Sequence, residues 1–396
     1  EVTIPLVTSN RINMPDIAED VLARGDADMV SMARPFLADA DWVKKSQEGR
    51  VDEINTCIAC NQACLDHAFK NKRASCLVNP RACHEIELTY LPTASPKRIA
   101  VVGAGPAGLS FATVAAGRGH SVTLYEGASE IGGQFNMAKQ IPGKEEFHET
   151  IRYFRRQLEL ANVDLRLGSK VTAEDLIKRG YDKIVLATGV TPRTPNIEGI
   201  EHPSVLSYID VLAKKVAVGK RVAVIGAGGI GFDVCEYLAH DGESTSLDVG
   251  AYLREWGVDP ENEVRGGIAG VRQETPRNLR EITMFQRSKG KLGARLGKTT
   301  GWIHRTSLKN REVLMVANVE YSRIDDSGLH YLHHGKPRTL EVDHIVVCAG
   351  QISNRTLAEE LVKEGLEPVL IGGADVAAEL DAKRAIDQGA RLGARI

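Results

Sequence analysis

The chain has no run of eighteen apolar residues, and its opening stretch EVTIPLVTSNRI lacks the basic-then-apolar order of an export signal. Neither membrane insertion nor secretion is expected, and a cytoplasmic location is. Charge of one sign is lacking as well: 50 Lys and Arg stand against 52 Asp and Glu, a formal net charge of −2. Nothing in that balance favours a polyanion, so no nucleic-acid partner is expected. Cysteine is scarce at 7 residues, and the odd total argues against a fully paired disulfide framework. An initiating methionine is missing and the first residues read as the inside of a strand, so the sequence is expected to be a piece of a longer protein. What is present is a chain of 396 residues, 43% hydrophobic and 26% charged, long enough for two or three cores.

Four of the cysteines crowd into CIACNQACLDHAFKNKRASCLVNP, residues 57–80. Cys57, Cys60, Cys64 and Cys76 are separated by gaps of two, three and eleven residues. On a turn-rich loop the first three can wrap one face of a polynuclear centre while the fourth returns from downstream, and four thiolates are what a [4Fe-4S] cube needs. Structural zinc is the alternative, but it prefers two facing C-x2-C knuckles and only one is present. Cys83, Cys235 and Cys348 lie off this spacing, and the last two fall in apolar patterns that read as core.

The segment RIAVVGAGPAGLSFATVAAGRGHSVTLYE, residues 98–126, runs strand, glycine turn, Ala-rich helix and second strand. Gly103, Gly105 and Gly108 allow the tight turn and the approach of backbone to a pyrophosphate, the helix N-terminus faces the phosphates, and Glu126 is placed to accept the ribose hydroxyls. A second copy, RVAVIGAGGIGFDVCEYLAH, carries Gly226, Gly228 and Gly231 in the same places, which implies a second nucleotide. Residues 241–281 then intervene before the next strand, and their polar, Gly-rich composition reads as a surface excursion. After that strand come Gln286, Arg287, Ser288 and Lys289, where an NAD site would carry an acid. A cationic tip suits a 2′-phosphate, so Arg287 and NADP are expected, against a merely solvated basic turn.

Two more strands end in small residues, YDKIVLATGV at 181–190 and VDHIVVCAGQ at 342–351, and Asp375 stands just ahead of a C-terminal helix. Strands of this kind close the back of each nucleotide domain in two-dinucleotide flavoproteins, where an Asp so placed contacts the flavin ribityl or pyrophosphate. The order is similar to the disulfide-reductase architecture. No C-x-x-C lies beside either glycine motif, so electrons must leave the flavin by a route other than a redox disulfide.

The stretches VSMARPFLADADW, INTCIACNQACLD, SCLVNPRACHE, EIGGQFNMAKQIPGKEEF, GESTS and LGKTTGWIHRT run from end to end of the chain. Through them it resembles the C-terminal part of the bacterial NADPH-dependent 2,4-dienoyl-CoA reductases, in the trimethylamine dehydrogenase and old yellow enzyme group. That resemblance implies an α/β chain built as the tail of an FMN-binding (β/α)8 barrel (1–50), an iron–sulfur loop module (51–96), and two nested Rossmann-like domains: FAD (97–215 and 342–396) and NADP (216–341). It adds Gln134 to the FAD set and assigns Arg11, Ala33 and Arg34 to the FMN phosphate, as late barrel loops commonly hold phosphate. Catalytic side chains are expected on earlier barrel strands outside the sequence, and none is named. The implied reaction passes a hydride from NADPH to FAD, then single electrons through the cluster to FMN, which reduces a 2,4-dienoyl-CoA in unsaturated fatty acid β-oxidation. A monomer is expected. Enoate reductases are the near alternative; an NADPH-fed electron-transfer subunit and a zinc-stapled nucleotide-binding module are more distant ones.

Overall fold

Two β-branched runs, RIAVV and RVAVI, each followed at once by glycine, form the middle strands of two parallel sheets. Such runs are apolar on both faces, as a strand covered by helices on each side must be. The computed structural model describes residues 2–275, 278–378 and 381–396, and the chain divides into two units.

The first unit comprises Glu1–Phe135, Glu146–Thr191 and Ile352–Ile396. Its five-stranded sheet runs Val369–Leu370, Lys183–Leu186, Arg98–Val102, Ser121–Tyr125 and Asp164–Arg166 from edge to edge, every pair parallel. Ile99, Ala100 and Val101 on the central strand are wholly buried. The glycine turn leads into the helix Pro106–Gly117, on which the C-terminal helix Ala382–Gly393 lies so closely that a Cβ at Gly389 would stand 2.3 Å from the Ala107 carbonyl oxygen. At the N-terminal end, Val7–Ser9 and Met29–Ser31 pair in parallel and the helix Pro15–Ala23 connects them. Ile12, Ala18, Trp42 and Ile54 form a small core there. One β-α-β unit is what the tail of a (β/α)8 barrel should contain.

The second unit comprises Asn136–Glu145 and Pro192–Gln351. Its sheet runs Leu314–Val316, Glu281–Phe285, Arg221–Ile225, His344–Val347 and Val205–Ser207, again all parallel. An antiparallel meander, Val319–Asp325, Gly328–His333 and Lys336–Leu340, follows the edge strand. The α/β, disulfide-reductase-like arrangement is thus present in both halves.

One detail differs from the sequence reading. His344–Val347 hydrogen-bonds between Arg221–Ile225 and Val205–Ser207, so the strand expected to open the second FAD segment lies in the second unit's sheet, as does Val205–Ser207 from the first FAD segment. Ladder pairing, which is long-range, sets the boundary at residues 192 and 351 instead. The described residues of the 241–281 excursion lie largely at the surface, as their composition implied. They include the helix Val249–Trp256, capped by Asp248, and Glu255 on that helix is buried.

Candidate functional site

Each unit carries a glycine turn at the carboxyl end of its central strand, and the two are built alike. Gly103 has φ +105°, and a Cβ there would stand 2.3 Å from the Ala187 carbonyl oxygen; Gly226 has φ +115°, and its Cβ would stand 2.4 Å from that of Cys348. In both cases the neighbour is the residue just beyond the adjacent strand, so the turn is pressed against rigid backbone and only glycine fits. Gly108 and Gly231 repeat the pattern one turn on, their Cβ positions falling 1.9 Å and 1.8 Å from the carbonyl oxygens of Gly103 and Gly226. Gly105 and Gly228 cap the helices Pro106–Gly117 and Gly229–Ala239 in extended conformation, with no side chain occupying the helix N-terminus. Free amides on such an end favour an anion.

In the first unit Glu126 accepts from the Ala104 amide at 2.8 Å and the Ala128 amide at 2.9 Å, which fixes the carboxylate at the lip of the turn. A second loop closes over it: the Gly132 amide donates to the Ala104 carbonyl at 2.8 Å, and a Cβ at Gly133 would stand 3.0 Å from Gly105 Cα. Gln134, half-buried, follows on this loop. Asp375 leaves the short turn Gly372–Ala374, where a Cβ at Gly372 would come within 2.8 Å of Ala107 Cβ in the first turn of the helix. Its carboxylate accepts from Gln388 Nε2 at 2.7 Å, while Gln388 Oε1 takes the Gly372 amide at 2.8 Å. Gly103, Gly105, Gly108, Glu126, Gln134 and Asp375 are therefore gathered around one helix N-terminus. In the second unit, Gln286 occupies the place of Glu126, and Arg287 is exposed on the turn beyond it.

Cys57, Cys60, Cys64 and Cys76 line a single cavity in the first unit, joined by Arg34, Asn61, Leu77 and Val78. Cys83 is exposed and does not line it. Burial pushes the thiols of Cys60 and Cys76 up to about 12, and raises Cys57 as well, there opposed by the Ala59 amide and by the Arg34 charge. Thiols so placed ionise only with a compensating cation or metal. Among the described residues no group of three or more His, Cys, Asp and Glu side chains stands in a metal-holding arrangement, the four cysteines included. In donor chemistry and number, four cysteines lining one cavity match the thiolate set of an iron–sulfur cube.

The loop is tied to the barrel-like segment. Asn13 Nδ2 donates to the Cys57 carbonyl at 3.0 Å, Trp42 Nε1 to the Asn13 carbonyl at 3.1 Å, and Asn55 Nδ2 to the Val78 carbonyl at 3.0 Å. Arg34 Nη1 donates to Asn61 Oδ1 at 2.9 Å, between two of the cysteines, and Arg34 Nη2 reaches Asn10 at 3.4 Å. Ala33 caps the short helix that Arg34 begins. Arg11 pairs with Glu146 at 2.9 Å, both partly exposed. The structure therefore places Arg34 in the wall of the cysteine cavity, a position its sequence separation from Asn61 did not signal, and brings it against the residue preceding Arg11.

Among the described residues no helix is long and apolar enough to cross a membrane. Residues 97–376 match the pyridine nucleotide-disulphide oxidoreductase family, and residues 1–53 match the NADH:flavin oxidoreductase / NADH oxidase family. A metal reductase of Desulforamulus reducens is 34% identical over 372 residues, covering 91% of this chain and 53% of that protein. An NADH oxidase of Thermoanaerobacter brockii is 40% identical over 254 residues, 62% of this chain and 39% of that protein. The solved complex of 2-naphthoyl-CoA reductase with 2-naphthoyl-CoA superposes with a TM-score of 0.86 at 31% identity, covering 100% of this chain and 54% of that one. The chain thus spans between 39% and 54% of the length of these relatives.

Proposed function

Because the chain belongs to the pyridine nucleotide-disulphide oxidoreductase family, we propose that it is the NADPH-oxidising, FAD-binding half of an iron–sulfur flavoprotein that reduces a 2,4-dienoyl-CoA thioester. The observation that carries this reading is the duplicated glycine turn, one in each unit, each pressed on a strand-end carbonyl. Two such turns imply two dinucleotides, and a flavin fed by a pyridine nucleotide is the pairing the family supplies. When bound, the nicotinamide supplies a hydride, the flavin takes it, and an iron–sulfur cube relays electrons singly.

The chain's own groups divide the work of holding these cofactors. Free amides at the start of Pro106–Gly117 bind the FAD pyrophosphate, and Glu126, already oriented by two backbone amides, receives the ribose hydroxyls. Asp375, steadied by Gln388, and Gln134 on the covering loop hold the flavin side of the same helix end. Gly226, Gly228 and Gly231 do for NADPH what the first set does for FAD, with Arg287 at the adenosine end. Cys57, Cys60, Cys64 and Cys76 hold the cluster in a cavity that excludes water through Leu77 and Val78. Arg11, Ala33 and Arg34 belong to an FMN phosphate site whose remaining walls come from the rest of a barrel. The acyl-CoA class of substrate is supported by the superposition of this chain on 54% of a protein named 2-naphthoyl-CoA reductase.

The test follows NADPH oxidation by this chain with an artificial dye as acceptor, and separately the loss of dienoyl absorbance in the protein that carries the whole barrel. The reading requires dye-linked NADPH oxidation with about one FAD per chain, and dienoyl-CoA reduction once the barrel is complete. A chain that purifies without flavin, or a complete protein inert toward dienoyl-CoA, overturns it.

A further inference from the structure

Beyond the strand Glu281–Phe285 the backbone turns through Gln286, Arg287, Ser288 and Lys289. This turn is stitched to the segment after the next strand: the Gln286 amide donates to the Val316 carbonyl at 2.9 Å, and the Asn318 amide to the Ser288 carbonyl at 3.2 Å. The antiparallel meander that follows pairs Val319 with His333. Phe285 seats the meander on the strand end, its ring 4.9 Å from that of Tyr331 and 6.4 Å from that of Tyr321. The result is a cleft lined by Lys289, Gly290, Ala317, Asn318, His333 and His334. The two imidazole rings stand 4.2 Å apart, and Asn318 Nδ2 lies 3.5 Å from His334 Nδ1.

Three basic side chains line this cleft and no acidic one does. Its place in the fold is as informative as its charge. In the first unit the residue directly after the second strand, Glu126, marks where ribose hydroxyls come to rest; its counterpart here is Gln286, which does not repel an anion. Lys289 is three residues further along the same turn. Arg287 does not line the cleft. It stands by Tyr321, whose hydroxyl burial pushes up and the Arg287 charge pulls down.

We propose that this cleft receives the 2′-phosphate of NADPH, with Lys289, His333 and His334 as its cationic and hydrogen-bonding partners, so that discrimination against NADH is set by the hairpin tip as much as by Arg287. The inference rests on the NADPH reading above and adds His333 and His334 to the cationic tip that already held Lys289. A phosphate monoester offers several strong acceptor oxygens, and imidazole N–H and ammonium donors around one cleft can meet more of them than a single arginine does alone.

The experiment uses two probes that differ only in the phosphate concerned, adenosine 2′,5′-bisphosphate and 5′-AMP, titrated into the flavin-loaded chain by calorimetry. Wild type is expected to prefer the bisphosphate. Lys289→Ala and the double substitution His333→Asn/His334→Asn are each expected to weaken the bisphosphate by about tenfold or more, as loss of a charge-assisted contact does, with 5′-AMP within about twofold. His334→Lys, which keeps a cation on the same exposed tip, is expected to retain the preference. Variants that keep the wild-type preference, or lose both probes alike, overturn the inference and leave the NADPH reading standing. A wild type that binds the two probes equally overturns the NADPH reading, and the inference with it.

Discussion

Arg311 and Glu255 meet at 2.7 Å with 6% and 11% of their side chains exposed, and so join the helix Val249–Trp256 of the long excursion to the end of the helix Gly301–Asn310. The Thr245 hydroxyl donates to the other carboxylate oxygen, and Arg311 Nη1 reaches the Ala239 carbonyl at 3.4 Å. Removing one partner leaves a buried charge without compensation. Arg311→Met is expected to destabilise the second unit by about 3–5 kcal/mol, whereas Arg311→Met/Glu255→Met recovers most of that loss. Urea unfolding followed by tryptophan fluorescence checks both. Equal destabilisation in the single and double variants would show that packing around the pair matters and its charge does not.

The two glycine turns give a prediction that separates the nucleotides. At Gly226 a methyl group would collide with the Cys348 carbonyl, and at Gly103 with the Ala187 carbonyl. Since both residues also have left-handed φ, each alanine must displace its turn, at a cost on the order of 1–3 kcal/mol or more. Gly226→Ala is expected to abolish dye-linked NADPH oxidation while FAD content stays near one per chain. Gly103→Ala is expected to lose FAD. Flavin released by Gly226→Ala, or retained in full by Gly103→Ala, would contradict the assignment of the turns.

The parts legible from sequence are those whose chemistry is local. A strand, a glycine turn, a helix and an acid must follow one another at fixed spacing to cradle a pyrophosphate, so Gly103 and Glu126 stand out before any contact is known. The barrel-like β-α-β unit at the N-terminus was expected through the family resemblance and not from any local spacing. Arg34 beside the cysteines, the cleft of Lys289 and His333, and the Arg311–Glu255 pair were not, because each joins residues separated by tens of positions. Over residues 241–281 the composition was right about exposure and silent about local order: most of the described residues are exposed, and the amphipathic helix Val249–Trp256 turns Glu255 inward to Arg311, a pairing that no window of sequence contains.

His304 and Glu236 link the helices Gly301–Asn310 and Gly229–Ala239 through a 2.9 Å contact. Burial opposes the imidazolium, and Lys144 does too, but the Glu236 hydrogen bond and charge, with Asp233, outweigh both and raise the His304 pKa above its ordinary 6.5. A histidine raised on folding adds stability that is fully present below about pH 6.5 and is lost as pH rises through the folded value. The second unit is therefore expected to be more stable at pH 6 than at pH 8, with His304→Gln flattening that slope. Thermal melts across this range check it, and an unchanged slope in His304→Gln would assign the effect elsewhere.

The last prediction concerns the cavity of Cys57, Cys60, Cys64 and Cys76. A cube deprived of one thiolate exposes an iron that oxidises and is lost, so alanine at any of the four is expected to remove the broad visible absorbance and the iron and sulfide found by analysis. FAD is expected to remain bound, because the turn at Gly103 draws on none of these side chains. Cys83→Ala is expected to keep the colour, since Cys83 is exposed and outside the cavity wall. Arg34→Ala is expected to keep the cluster but lower its reduction potential, because the guanidinium lines the cavity and favours the added negative charge of the reduced state. Chelation or oxidative loss of the metal should then weaken the loop's anchorage to the N-terminal segment, read as faster proteolysis between residues 57 and 80. Zinc in place of iron, or a requirement for Cys83 in place of Cys76, would assign the cavity to a structural staple, and the flavin would need another outlet for its electrons.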